Sequence, residues 1–333
     1  MTETGAARLS GLDGIKGLAI IAVVVIHAAP TDSPLYLDHV VNGAARLAVP
    51  AFLAVTGYLA GLRGWLRPRL AGYFWKFLRL HLIYGAFYWL LSAPWGAESV
   101  DLTLREALLR FGAGGYPGQY YFAILVQILF ASAFLLPDRF WRNLWMVPAS
   151  AAIAVAGTML LAAAVEAAAP GAALALLARL RGNPVWLWFV YFSLGAALGA
   201  HSTRLPERIR RLGPALVALA LGVAIASAGV PSAMSDAFAT SFPYLRLPIF
   251  LGSLGLILAL PTLARAEMPR WLVALGRESF GVFVFNPALL TLLNAGFGPP
   301  DSLGNSWLHA GIATAGSYAI AKGLRRFAPW LLA

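Results

Sequence analysis

The sequence predicts an all-α polytopic integral membrane protein with about ten transmembrane helices and with both termini in the cytoplasm. Hydrophobic residues make up 60% of the 333 residues, charged residues make up only 12%, and the mean hydropathy is +0.73. A water-soluble core of this size would leave too much apolar surface uncovered. Apolar stretches of membrane-spanning length recur along the chain, and every second loop between them is rich in Lys and Arg.

The first apolar stretch carries ionisable residues near both of its ends, and the others follow at similar lengths. Each is close to the ~20 residues that a helix needs to cross a bilayer. In chain order, the predicted spans are residues 13–30, 43–62, 71–92, 119–136, 145–167, 184–200, 213–229, 243–263, 271–294 and 305–324. We expect one transmembrane domain over residues 1–333, with no appended soluble domain. We also expect an uncleaved first span, because Asp13 and Lys16 lie inside its start.

Positive charge marks every second loop between these spans. Most of the 25 Lys and Arg residues fall before the first span, after each even-numbered span, or near the start of the span that follows. Since cytoplasmic loops are enriched in Lys and Arg, this pattern places both termini in the cytoplasm. The opposite loops hold few cations, among them Arg46. The net charge of +11 follows from this topology, so we expect no nucleic-acid partner.

Several classes of site are excluded by composition. The chain contains no cysteine, which excludes disulfides, thiolate nucleophiles and thiolate metal sites. Its five histidines are scattered, so no metal site is predicted. It also lacks a phosphate-binding Walker loop, a dinucleotide glycine fingerprint and a zinc-protease helix motif.

The strongest functional candidates lie in the first span. Lys16 and His27 are eleven residues apart, which puts them on nearly the same helix face and about 16 Å apart along the axis. Asp13 precedes Lys16 by three residues and shares that face. Ionisable side chains are costly in hydrocarbon and indicate function by default. Two structural roles stay open, because His27 could bond a neighbouring carbonyl and Asp13 could cap the first helix.

Five segments together resemble the acyltransferase-3 family of transmembrane acyl transferases. Residues 12–19 with His27 resemble the opening motif of the family, in which Arg usually stands at the position of Lys16. Residues 50–59 are similar to its second-span motif, with Thr56 where Ser is usual. The remaining matching segments are residues 76–79, which resemble its Arg-x-x-Arg motif, residues 119–125, and residues 275–287, where Asn286 replaces the usual His.

The resemblance implies transfer of an acyl group, commonly acetyl, from cytoplasmic acyl-CoA to a hydroxyl of a glycan or related envelope molecule. It implies acyl-CoA as co-substrate, no tightly bound cofactor, a glycan or lipid-linked sugar as acceptor, and a multi-pass protein of a bacterial inner or plasma membrane. A homo-oligomer is compatible with it. Residues 93–118 would then form an outer loop that shapes acceptor entry.

Under this reading, His27 and Asp13 are the catalytic candidates. An imidazole suits general-base work at neutral pH, and His27 could instead carry the acyl group itself. Lys16, Lys76 and Arg79 would bind the CoA phosphates. Positive-inside bias alone also accounts for Lys76 and Arg79.

A second set of residues is offered for substrate binding: Arg246 inside the apolar eighth span, Tyr120, Tyr121, Asn286 and Ser279. Each has a structural alternative. Arg246 could extend its head group to the membrane surface, and the two tyrosines could belong to an interfacial aromatic belt. Ser279 could organise the start of the ninth span.

A polytopic transporter or exporter of a glycan or small molecule is the alternative function, since several spans contain helix-interrupting Pro and Gly. The halves of the chain show no inverted repeat, however, and the ionisable residues concentrate in the first three spans. That distribution favours one reaction site over a transport pathway. A membrane scaffold without chemistry would leave His27 unexplained.

Overall fold

The computed structural model describes residues 9–30, 33–64, 67–92, 120–136, 145–169, 185–204, 206–207, 211–226, 244 and 246–332. The expected entrance loop at residues 93–118 lies outside these ranges. Within them, the secondary structure is helical and contains no strand. The all-α class is therefore confirmed for the described chain.

The described ranges contain twelve α-helices, numbered in chain order. They are α1 Ser10–His27, α2 Ala48–Leu62, α3 Arg67–Ser92, α4 Tyr120–Phe130, α5 Met146–Ala168, α6 Val185–Ala200, α7 Gly213–Ala226, α8 Leu247–Leu258, α9 Leu260–Leu263, α10 Arg270–Arg277, α11 Ser279–Phe297 and α12 Leu303–Phe327. A π-helical turn, Tyr36–Val41, and a 3₁₀ turn, Ala44–Leu47, lead into α2. A second π-helical turn, Ala131–Leu135, extends α4, and a 3₁₀ turn, Pro329–Leu331, follows α12.

Helices occupy all ten stretches that the sequence predicts as spans. Among the described residues, three helical runs are long and apolar enough to cross a membrane by length and composition: Ser10–His27, Tyr36–Leu62 and Ser279–Phe297. Five further apolar helices are shorter. The number of crossings and the side on which the termini lie stay predictions.

The predicted ninth and eighth spans differ from the helices that the structure contains. The ninth is divided at Glu278 into α10 and α11; α10 buries Leu272 and Leu275 and exposes Trp271, so it is amphipathic rather than apolar all round. The eighth begins at Leu247, and Arg246 is its N-cap residue. Arg246 therefore lies at a helix end, not inside an apolar span as expected. Pro248 in the first turn fits this start, because proline needs no intrahelical N–H partner there.

Glycines allow α2 and α6 to touch along their backbones. Gly57 and Gly61 of α2 lie against the carbonyl oxygens of Phe192 and Ala196, where a Cβ atom would collide. The contact is reciprocal, because Gly195 and Gly199 of α6 lie in the same way against carbonyl oxygens of α2. Two small-residue motifs of the Gly-x-x-x-Gly type thus form one helix–helix interface, an arrangement typical of membrane bundles.

The first helix, α1, carries the candidate residues Asp13, Lys16 and His27. It packs against α2, α10, α11, α12 and the 3₁₀ turn Ala44–Leu47. Gly11 lies against the backbone of Leu263 and Ala264, Gly14 against Met268, and Gly17 against Leu272. The polar residues at the two ends of α1 are therefore held by several helices.

Candidate active site

Asp13 is buried in the first turn of α1 and contacts two cations. Its Oδ1 atom lies 2.7 Å from Lys16 Nζ, and its Oδ2 atom lies 3.6 Å from Arg277 Nε. The i,i+3 contact confirms that Asp13 and Lys16 share a helix face. The N-cap residue of α1 is Leu9, with no side-chain cap hydrogen bond, so the capping role considered for Asp13 is wrong.

A second acidic residue lies next to this group. Glu278, between α10 and α11, holds Arg325 of α12, with Nε–Oε1 and Nε–Oε2 distances of 2.9 Å and 3.0 Å. Arg325 also donates to the carbonyl oxygen of Arg277 at 3.3 Å. The ends of α10, α11 and α12 are thus joined by charged side chains.

Lys76 and Arg79 of α3 complete the positive charge of this region. The positive charges of Arg79 and Arg325 both act on Lys76. Arg79 donates to the carbonyl oxygen of Trp330 at 3.4 Å, and the Tyr84 hydroxyl donates to that of Leu331 at 2.8 Å. The turn Pro329–Leu331 is therefore fastened to α3.

We call the cations of this region the basic cluster: Lys16, Lys76, Arg79, Arg277 and Arg325. Its carboxylates in the described chain are Asp13 and Glu278. Cations exceed carboxylates, so the region suits an anionic ligand with several negative charges.

His27 lies at the opposite end of α1, where it is the last helical residue and is exposed. Arg46, on the 3₁₀ turn that packs against α1, lies near enough for its charge to act on the imidazole. The Arg46 guanidinium lies over the Tyr244 ring, 5.6 Å from its centroid. The Tyr120 and Tyr244 hydroxyls are 3.4 Å apart, and the Trp188 ring meets the Tyr244 ring edge-on at 4.7 Å. We call these five residues the His27 cluster.

A family model described as an acyltransferase domain matches residues 9–325. The chain belongs to the acyltransferase-3 family. The comparison with curated proteins and the comparison with solved structures found no match. Family membership and the apolar helices together identify the protein as a membrane acyltransferase.

In this acyltransferase, the first-span motif connects the two clusters. Lys16 belongs to the basic cluster and His27 to the other, about 16 Å apart along α1. Asp13 is about 21 Å from His27 on the same helix, so its carboxylate contacts cations and not the imidazole. The catalytic role expected of Asp13 stays a prediction.

Tyr121 and Asn286 are held by contacts inside the helix bundle. Tyr121 is buried, with its ring 6.1 Å from that of Phe52 and 5.3 Å from that of Phe283. It therefore packs inside the bundle and not in an exposed aromatic belt. Tyr120, by contrast, joins the His27 cluster through Tyr244.

Asn286 is fully buried in α11 directly before Pro287. Its Nδ2 donates to the carbonyl oxygens of Val282 and Phe283, each at 2.9 Å. Pro287 lacks the N–H group that would bond the Phe283 carbonyl in a regular helix. The Asn286 side chain supplies a donor in its place. Ser279, the buried first residue of α11, lies beside Glu278 at the basic cluster.

Several members of the two clusters are not predicted from the sequence. The positive-inside pattern explains Arg277 and Arg325 as cytoplasmic charges, although residues 275–287 match a family segment. The same pattern places Arg46 in a loop, although the predicted second span begins at residue 43 and includes it. A cation inside an apolar stretch was the available signal. Trp188 and Tyr244 gave no signal, because their position depends on how distant helices pack.

Proposed function

We propose that this acyltransferase transfers an acyl group, with acetyl as the first candidate, from acyl-CoA to a hydroxyl group of a glycan or related envelope molecule. One observation carries the proposal. A single helix, α1, carries Lys16 within a basic cluster at one end and an exposed His27 at the other.

The basic cluster is the proposed donor site. CoA carries phosphates at one end and its thioester at the other, so it needs a cationic site and, some distance away, a reaction site. Lys76 and Arg79 are three residues apart on α3 and present two cations on one face. Charge-assisted hydrogen bonds to phosphate are stronger than neutral ones. Asp13 and Glu278 fix the positions of Lys16, Arg277 and Arg325 by ion pairing.

The His27 end is the proposed reaction site. An extended pantetheine arm runs from the basic cluster along α1 and brings the thioester carbonyl to His27. The imidazole takes the proton of the acceptor hydroxyl, whose oxygen attacks the carbonyl carbon, and the CoA thiolate leaves and receives a proton. In the alternative, the imidazole itself attacks the carbonyl carbon and the CoA thiolate leaves. The acceptor hydroxyl then attacks the acyl-imidazole and takes the acyl group, and the proton that it loses balances the one taken up by the thiolate.

Acetyl-CoA binding by calorimetry tests the donor site. We compare the wild type with Lys76→Ala/Arg79→Ala, and use Arg63→Ala/Arg69→Ala as a control that removes the same charge outside the basic cluster. We expect about tenfold weaker binding in the first variant, equal to about 1.4 kcal/mol, and near wild-type binding in the control. Binding by the wild type should weaken as salt rises.

Two results would contradict the proposal. One is a folded wild type that does not bind acetyl-CoA; the other is unchanged affinity in the Lys76/Arg79 variant. Transport of an intact substrate by reconstituted protein without consumption of acyl-CoA would favour the exporter instead.

A further inference from the structure

Arg46 has donor capacity that the described protein does not use. One terminal nitrogen donates to Asn42 Oδ1 at 3.2 Å, and the guanidinium plane lies over Tyr244. Its Nε atom is buried and has no hydrogen-bond partner. In the described ranges, no carboxylate forms an ion pair with Arg46. A half-buried cation with a buried, unpartnered Nε–H and no counter-ion in the described ranges is costly, so a ligand anion would be favoured there.

Trp188 provides a second unused donor, on a side chain that contacts the same tyrosine. Its side chain is 2% exposed, and its indole Nε1 is buried without an acceptor. Trp188 and Arg46 both contact the ring of Tyr244, one edge-on at 4.7 Å and the other over its face. A buried donor left without an acceptor costs free energy. Each side chain thus leaves a donor for an oxygen acceptor in the surroundings of Tyr244, and the guanidinium favours an acceptor with negative charge.

The position relative to His27 indicates which ligand this is. The turn that carries Arg46 packs against α1, and His27 is exposed at the end of that helix. A substrate held at Arg46 therefore lies beside the proposed general base, far from the basic cluster that would hold the CoA phosphates.

We propose that Arg46 and Trp188, grouped around Tyr244, bind an oxyanion of the acceptor, so that the acceptor is an acidic glycan or sugar lipid carrying a phosphate or a carboxylate. This proposal rests on the proposed function, because its ligand is the acceptor of that reaction. Arg46 is the specificity-determining residue, and Trp188 supplies a supporting hydrogen bond.

Ligand-observed NMR on the full chain in zwitterionic nanodiscs tests this site. The probes are methyl glucoside, methyl glucuronide and methyl glucoside 6-phosphate, which share a sugar ring and differ in charge. The variants are Arg46→Gln, Arg46→Lys and Trp188→Phe, with Arg63→Gln as a control that removes a cation at the opposite end of α2. We expect at least one anionic glycoside to bind about tenfold more tightly than the neutral one, a size typical of a hydrogen bond to a charged group.

The preference should vanish in Arg46→Gln, persist in part in Arg46→Lys, weaken in Trp188→Phe and remain in Arg63→Gln. Preference for the phosphate or for the carboxylate alone identifies the source of the oxyanion and supports the proposal. It is overturned if no glycoside binds, if the neutral sugar binds equally well, or if Arg46→Gln keeps the preference. Acetyl-CoA binding is measured on the same samples, so loss of the donor site, which would contradict the proposed function, is distinguished from loss of the anion site.

Discussion

Arg277 reaches the carboxylate of Asp13 from a different helix, with Nε 3.6 Å from Oδ2. The approach depends on Gly276, which lies against the carbonyl oxygen of Asp13 where any Cβ atom would collide. Because Lys16 holds the other carboxylate oxygen at 2.7 Å, Asp13 connects α1 to α10 and fixes the direction of two cations. We infer that Asp13 acts as a positioning residue at the proposed donor site.

Asp13→Asn tests this role, because the amide keeps the shape and removes the charge. If Asp13 only offset positive charge, the variant would bind acyl-CoA more tightly. If it positions Lys16 and Arg277, acyl transfer at saturating acyl-CoA should fall about tenfold, and unfolding should cost about 1–3 kcal/mol less. Steady-state kinetics and thermal unfolding in detergent measure both quantities. Glu267→Gln, which removes an exposed carboxylate, is the control and should behave as the wild type.

His27→Gln should separate chemistry from donor binding. The imidazole lies at the end of α1 opposite the basic cluster, so acetyl-CoA affinity should stay near the wild-type value. Loss of the proposed general base should lower transfer by roughly 10²–10⁴-fold. Single-turnover transfer to an acceptor and calorimetry with acetyl-CoA give the two values. A variant that keeps wild-type turnover would exclude His27 from the reaction.

The sequence predicts the helices well, because a membrane-spanning helix is recognised from the length of one apolar stretch. The contact of Asp13 with Lys16 was also predictable, since it depends only on the i,i+3 spacing. The contacts of Asp13 with Arg277 and of Glu278 with Arg325 were not, because they join helices that are distant in sequence. The division between α10 and α11 was not predictable for another reason. Trp271, Leu272 and Leu275 all raise the average hydropathy of the segment, although only the two leucines are buried.

Gly57→Ala should destabilise the interface between α2 and α6. The added Cβ atom would meet the backbone of Phe192, which cannot rotate away, so we expect a loss of about 1–3 kcal/mol. Gly72→Ala is the matched control, because nothing lies within 4 Å of its added Cβ atom on α3. Alanine favours a helix there by about 0.5–1 kcal/mol. The thermal unfolding temperature should therefore fall for Gly57→Ala and rise for Gly72→Ala. Equal shifts in the two variants would argue against close packing at Gly57.

The pairing of Asn286 with Pro287 predicts non-additive energetics. Asn286→Ala leaves the Phe283 carbonyl without a donor inside the bundle and should cost about 1–3 kcal/mol. Pro287→Ala restores a backbone N–H that can bond the same carbonyl. Asn286→Ala should therefore cost less in the Pro287→Ala background, with an interaction energy of about 1 kcal/mol. Denaturant unfolding of the wild type, both single variants and the double variant measures this energy. Strictly additive losses would mean that the Asn286 amide does not replace the hydrogen bond that Pro287 removes.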